Sequence, residues 1–363
     1  MKKIVFGITS LNTGGAERTL VDLVNALKNK YDITVLTLYG KGELEKELKD
    51  IKIHSLFSKS YQDYSKREKI SISLKISSTK FQKEMIQKYH LKEFDHVISF
   101  LEGPMTHLFS NKELHLIAWI HTDMSIHEAN GLKGKLKKRR NQKDYQNYKK
   151  LVFVNEKNKL AFQKVYHLNI PMEVIPNYID EKRIEKLSKE KIREVFETPS
   201  FLTVARLVYA KRIDRLVRAH ARLIKDGFMH HCYIVGDGEE REKIEKLIEE
   251  KGVSKTFHLL GRKENPYPYM VSCDYFLLPS FYEGAPITLY EAKLLKKFIL
   301  ITDNDSKEVV KDYSSKRIFE NSEDGIYEGM KNILEELPKY HSSKNQSQSL
   351  EPIISLLEES YEN

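Results

Sequence analysis

Residues 275–293 read "YFLLPSFYEGAPITLYEAK". The apolar run Tyr275–Leu278 suits a buried strand, Gly284 and Pro286 punctuate a turn, and "ITLYEAK" continues as a helix with Pro286 placed for its first turn. Strand, turn and helix in that order are the building unit of an α/β sheet. The stretch also holds Glu283 and Glu291, one ahead of the helix and one two turns inside it. Two surface glutamates would be the plain account. Their place after a strand favours another, because open α/β sheets bind ligands beyond the carboxyl ends of their strands. The first amides of such a helix, at Ile287 and Thr288, have no intrahelical acceptor and suit a phosphate. A carboxylate accepts two hydrogen bonds and suits the paired hydroxyls of a ribose or a sugar.

The same alternation runs outward in both directions. "KIVFGIT", "DITVLTLY", "HVISFL", "LIAWIHT", "KLVFVNE" and "MEVIPN" are strand candidates in the first half. "SFLTVARL", "HCYIVGD", "TFHLLGR", "YFLLPS" and "KFILIT" continue the series in the second. Between them lie amphipathic stretches such as "GGAERTLVDLVNALKN" and "RIDRLVRAHARLIKD". Strands apolar throughout and separated by helices predict parallel sheets covered on both faces. There are too many for one compact sheet, so the expected fold is α/β with two doubly wound Rossmann-like domains facing across a cleft. The predicted divisions are 1–178, 179–342, and a polar linker with a terminal helix over 343–363. That helix has an apolar face at Ile353, Ile354, Leu356 and Leu357, which must dock on a neighbour.

The 363 residues are 40% hydrophobic and 31% charged, a soluble composition that is natural for two domains. No apolar run approaches the ~18 residues of a membrane span. The opening "MKKIVFGITS" is too short in its apolar part for a signal peptide and reads as a first strand. Cys232 and Cys273 give neither a disulfide framework nor metal-ligand spacing, and a cytoplasmic protein is the simplest expectation. Charge is uneven. Lys and Arg outnumber Asp and Glu by 31 to 19 up to Tyr178, and fall short at 30 to 33 from Ile179 onward. "KGKLKKRRNQKDYQNYKK", residues 133–150, holds nine basic residues and one acid. No nucleic-acid motif accompanies it. Its Lys133, Lys135, Lys137, Lys138, Arg139 and Arg140 are candidates for docking on an anionic membrane or a polyanionic acceptor. A solvated helix is the alternative.

Other strand ends carry further candidates. Gly14 and Gly15 follow the first strand and open a helix, so their amides could approach an anion, or the turn could serve packing alone. The stretch is not G-x-G-x-x-G, and the next strand ends in Leu38-Tyr39-Gly40 without an acid for a ribose, which argues against a nicotinamide enzyme. Arg206 and Lys211 flank the loop after "LTVA" and suit a diphosphate, if they are more than solvated charges. His121 follows "LIAWI" as a cleft or structural histidine. Asp303-Asn304-Asp305 resembles a metal-binding D-x-D, but a turn accounts for it, and no metal is expected.

Taken in order, T-G-G-A-E, "RLVYAK", "YIVGDGEEREKIEKLI", "FHLLGR" and "LPSFYEGAPITLYEA" resemble the retaining glycosyltransferases of family 4, of GT-B fold. The resemblance implies that Arg206 and Lys211 hold the diphosphate of a nucleotide sugar, with Glu291 on the ribose and Glu283 on the transferred sugar. It places the Ile287 and Thr288 amides and the Gly14–Gly15 turn at the phosphate, Arg262 near the base, and His121 beside sugar and acceptor. It implies transfer of a hexose or N-acetylhexosamine from a nucleotide diphosphate sugar, with UDP as the expected carrier, to a glycan or lipid-linked acceptor in cell-surface polysaccharide synthesis. No cofactor is expected, and the enzyme would be cytoplasmic or peripheral on the inner membrane face. The last helix is expected to cross back to the first domain. Ala205, Arg212 and Tyr178 replace glycines of the family pattern, and "KKF" replaces its G-x-P, which touches loop geometry rather than charged ligands. Two other readings compete: a nucleotide-sugar epimerase or hydrolase of the same fold, and a non-enzymatic basic membrane- or nucleic-acid-binding protein.

Overall fold

The structure is a computed structural model describing residues 1–125, 132–283, 285–339 and 349–359, with the side chains of residues 132 and 133 left out. Contacts group it into two units, Met1–Ile179 with the C-terminal segment Gln348–Asn363, and Asp180–Ser347.

The first unit is a seven-stranded parallel sheet. Its strands are β1 (Lys3–Ile8), β2 (Asp32–Tyr39), β3 (Lys52–Phe57), β4 (His96–Ser99), β5 (Leu116–Ile120), β6 (Lys150–Phe153) and β7 (Met172–Val174), in the order β3-β2-β1-β4-β5-β6-β7. Strands β1, β2, β4, β5 and β6 are buried along almost their whole length, as continuous apolar runs require when helices cover both faces. Helix α1 (Gly15–Leu27) connects β1 to β2. Helices α2 (Lys66–Ile76), α3 (Thr79–Lys88), α4 (Pro104–Phe109), α5 (Leu132–Tyr145) and α6 (Glu156–Tyr166) follow β3. These five share one core, in which Ile72, Met85, Leu108, Tyr145 and Phe162 meet Val5, Val97 and Leu151 of the sheet.

In the second unit α7 (Glu181–Leu187) precedes a six-stranded parallel sheet of order β10-β9-β8-β11-β12-β13. The strands are β8 (Ser200–Val204), β9 (His231–Val235), β10 (Phe257–Gly261), β11 (Tyr275–Leu278), β12 (Phe298–Thr302) and β13 (Lys316–Phe319). Helices α8 (Ile213–Lys225), α9 (Arg241–Glu250), α10 (Tyr267–Ser272) and α11 (Ile287–Leu294) join them, and α12 (Glu323–Glu336) follows β13. Leu216, Val217, Leu223, Ile244 and Ile333 pack on Phe201, Ile234 and Leu277. One polar insertion breaks this core. His220 Nδ1 and His230 Nε2 lie 2.8 Å apart, and His220 Nε2 lies 2.8 Å from Thr256 Oγ1. Burial pushes the imidazole pKa values down, to about 2 for His220 and about 4 for His230.

The last helix, α13 (Glu351–Glu358), belongs to the first unit. Ile353, Leu356 and Leu357 are buried, and Ile354 is half-buried. Lys2 Nζ donates to the Leu357 carbonyl at 2.9 Å, and Tyr31 donates to Glu358 at 2.7 Å. Among the described residues no helix is long and apolar enough to cross a membrane. Both cysteines are buried and free.

Candidate functional site

The order of the second sheet reverses between β8 and β11, which opens a crevice at their carboxyl ends. Arg206 and Lys211 stand in the loop after β8, and Glu283 stands in the loop after β11. The first loop is clamped from beside. Ala205 N–H donates to the Val235 carbonyl at 3.1 Å, and Leu207 N–H donates to the Asp237 carbonyl at 3.0 Å. Gly236 makes the approach possible: it has φ +148°, and a Cβ there would drive into the Ala205 carbonyl. Arg206, on this fixed backbone, is exposed, and its side chain has no partner among the described residues.

Lys211 reaches across the crevice and pairs with the Glu283 carboxylate, their side chains only 20% and 14% exposed. Ser280 Oγ donates to the same Glu283 oxygen at 2.9 Å, and Phe281 N–H donates to the Ala210 carbonyl at 2.8 Å, tying the two loops together. Arg212, where the family pattern has glycine, takes the left-handed backbone that glycine would take, with φ 50°. Its guanidinium bonds Asp214 at 3.0 Å and lies over the Tyr209 ring.

Helix α11 begins at Ile287. Pro286 is its extended N-cap rather than a residue of the first turn, because its ψ is 124°. The Ile287 and Thr288 amides therefore lead the helix at the same sheet end. Glu291 is inside, 5% exposed, and accepts from Tyr267 Oη at 2.9 Å. Arg183 Nη2 donates to that same Tyr267 oxygen at 3.1 Å. Burial, reinforced by the Glu291 charge, raises the Tyr267 pKa well above the ordinary phenol value, so Tyr267 remains a donor. The two glutamates are thus not a pair of surface charges. Sequence reading missed Tyr267 and Arg183. Arg183 sits in "DEKRIEKL", which looks like an exposed helix, and nothing local ties it to a glutamate far along the chain. Arg262 is exposed just beyond β10, an edge strand of the sheet, at the same end.

In the first unit, Gly14 is the N-cap of α1 with ordinary extended backbone, φ −151° and ψ 168°, and Gly15 is its first residue. A Cβ at Gly14 would meet only the movable end of Glu17, so backbone geometry does not demand glycine at this position. His121 follows β5. Its N–H donates to Glu102 Oε2 at 3.0 Å, its carbonyl accepts from Asn158 Nδ2 at 3.0 Å, and its ring lies 4.9 Å from that of Phe100. Nε2 is shut from solvent and has no hydrogen-bond partner among the described residues. Burial pushes the imidazole pKa down, against the Glu102 charge, so the ring is neutral at neutral pH. Glu102, the acid after β4, was not singled out by the sequence reading.

Asp303 pairs with Lys307 at 2.8 Å, and Asn304 caps the next turn by accepting from Ser306 N–H at 2.9 Å. The basic run forms α5, on which Lys135, Lys137, Arg139 and Arg140 are exposed and Lys138 is half-buried. The Lys133 side chain lies outside the described residues.

Comparison with known proteins agrees with this architecture. Residues 13–183 match the family model "Glycosyltransferase Family 4", and residues 185–349 match "Glycosyl transferases group 1". An N-acetylgalactosamine-N,N'-diacetylbacillosaminyl-diphospho-undecaprenol 4-alpha-N-acetylgalactosaminyltransferase of Campylobacter jejuni is 26% identical, covering 96% of this chain and 94% of its own. The capsular polysaccharide biosynthesis glycosyltransferase CapH of Staphylococcus aureus is 26% identical over 80% of this chain and 79% of its own. The crystal structure of Anabaena HepE in complex with UDP superposes with a TM-score of 0.72 at 16% identity, covering 94% of this chain and 92% of that one. With both of its units matched in order by these models, the chain belongs to the family 4 glycosyltransferases of GT-B fold.

Proposed function

We propose that this chain is a retaining glycosyltransferase that moves a hexose or N-acetylhexosamine from a UDP-sugar to a lipid-linked or glycan acceptor in cell-surface polysaccharide synthesis. The observation that carries the reading is the convergence at the β8/β11 crevice. Two cations, the amides leading α11 and two withdrawn glutamates stand at one sheet end. The Campylobacter relative, similar over nearly the whole chain, is named for an undecaprenol-diphosphate-linked acceptor, and HepE was crystallised with UDP.

Transfer breaks the bond between the sugar C1 and the β-phosphate oxygen and leaves negative charge on the phosphate. Arg206, Lys211 and the Ile287 and Thr288 amides meet that charge where it develops. Glu291, fixed by Tyr267, receives the ribose hydroxyls, while Glu283 contacts the transferred sugar and Arg262 lies toward the base. The acceptor oxygen bonds C1 on the face the phosphate leaves, and its proton passes to the departing phosphate oxygen. His121, neutral and next to Glu102, serves the sugar and acceptor with the Gly14–Gly15 turn.

The test is to incubate the protein with a panel of nucleotide sugars and measure nucleotide release, with and without EDTA. Slow release from one UDP-sugar, unchanged by the chelator, is expected. Release that stops in EDTA and returns with Mg²⁺ would put a metal in place of the cationic loop. Full-rate conversion without acceptor would favour an epimerase or hydrolase.

A further inference from the structure

Helix α2 reads "KREKISISLKI", with apolar residues at every second position: Ile70, Ile72, Leu74 and Ile76. That is the period of a strand, yet the segment is helical, and Ser65 and Glu68 close a capping box at its start. In a helix such alternation splits between opposite faces. Ile72 and Ile76 enter the core, while Ile70 and Leu74, one turn apart, remain 63% and 71% exposed. Packing gives no reason for the second pair. Its neighbours along the exposed side are Lys66, Arg67, Ser71, Ser73 and Lys75, and the helix's one acid, Glu68, is occupied by the Ser65 amide and Lys59.

Helix α5 repeats the combination in the same helix layer. Leu136 is 57% exposed among Lys135, Lys137, Arg139 and Arg140. The acid of α5, Asp144, is buried against His107 Nδ1 at 2.7 Å. Residues 59–88 hold eight Lys and Arg against three Asp and Glu, and residues 132–145 hold seven against one.

We propose that the outer surface of the α2–α5 layer docks on an anionic lipid bilayer, with Ile70 and Leu74 entering the headgroup–acyl boundary and Leu136 at a second point. Cations alone would serve a polyanionic glycan equally well. Aliphatic side chains held out among cations gain nothing from a soluble polyanion, whereas a bilayer hides them and draws the cations to its surface. The proposal rests on the lipid-linked reading above only for its purpose, since docking can be measured without donor or acceptor.

The full chain is sedimented with vesicles of equal parts phosphatidylglycerol and phosphatidylcholine, with vesicles of phosphatidylcholine alone, and tested against soluble polyglutamate. Wild type is expected to bind the anionic vesicles and to leave the neutral ones. Ile70→Ser with Leu74→Ser should weaken vesicle partitioning by roughly tenfold or more, because buried methylenes drive such insertion. It should leave polyglutamate binding, thermal unfolding and donor binding unchanged. Gln at Lys137, Lys138, Arg139 and Arg140 should weaken both vesicle and polyglutamate binding. Leu74→Trp should shift its emission to the blue on anionic vesicles, over a constant background from the buried Trp119. Vesicle binding by the serine variant equal to wild type, no vesicle binding by wild type, or an unshifted Leu74→Trp emission would each overturn the proposal. Vesicle binding without any donor turnover would instead leave docking in place and remove the glycosyltransferase reading.

Discussion

Replacing Lys211 and Glu283 one at a time separates two tasks that the ion pair combines. In the free protein each screens the other inside a crevice where both are mostly withdrawn from water. In the proposed complex Lys211 turns to the diphosphate, while Glu283 faces only the transferred sugar. Lys211→Gln leaves Glu283 charged with Ser280 as its remaining side-chain donor among the described residues, and should lower folding stability by about 2–3 kcal/mol, below the 3–5 seen for wholly buried pairs. It also removes a charge-assisted contact to UDP worth roughly 1.5–3 kcal/mol, or about 10- to 150-fold in affinity. Glu283→Gln behaves differently. UDP carries no sugar to miss the carboxylate, and Lys211 no longer has to leave a partner, so UDP affinity should stay level or rise while sugar transfer falls. Titration calorimetry with UDP and thermal unfolding of both variants make the comparison. Equal weakening of UDP binding by the two substitutions would refute the division of roles.

Arg206→Ala and Glu291→Gln should each weaken donor binding by about 10-fold or more while the protein stays folded, since both lie at the crevice end of the sheet; wild-type affinity in both would move the donor site elsewhere. Stability should fall as pH drops below about 6.5, the unfolded histidine value, because the fold holds His220 and His230 neutral with depressed pKa values. Their contribution is whole above that pH. Toward pH 4 it is lost at about 1.4 kcal/mol per pH unit for each ring kept unprotonated. Urea unfolding from pH 7 to 4.5 tests this, and His230→Gln should flatten the slope.

The central strands were readable because burial on both faces demands unbroken apolar runs. The strands the sequence hid, β3 and β13, are sheet edges. "KIHSLF" and "KRIF" mix polar with apolar residues because helices and neighbours cover them only in part. Helix α2 was obscured by its two-residue alternation, which in a helix sends Ile72 and Ile76 to the core and leaves Ile70 and Leu74 exposed. At the candidate site, charged residues just after strands could be found one by one, since strand ends announce themselves. Their partners could not. Tyr267 lies 24 residues from Glu291 and 84 from Arg183, and only the folded sheet brings them together. His121 and Glu102 likewise meet because β4 and β5 are adjacent.

Transfer itself is the most direct test. The protein is incubated with a radiolabelled UDP-sugar and membranes or lipid extract supplying polyprenyl-diphosphate saccharides, and label is followed into the organic phase beside free nucleotide. Label is expected in the lipid fraction, with one nucleotide released per sugar moved, unchanged anomeric configuration, and loss of transfer in Glu283→Gln. Donor consumed at full rate with no label in any acceptor, or transfer undiminished in Glu283→Gln, would contradict the proposed function.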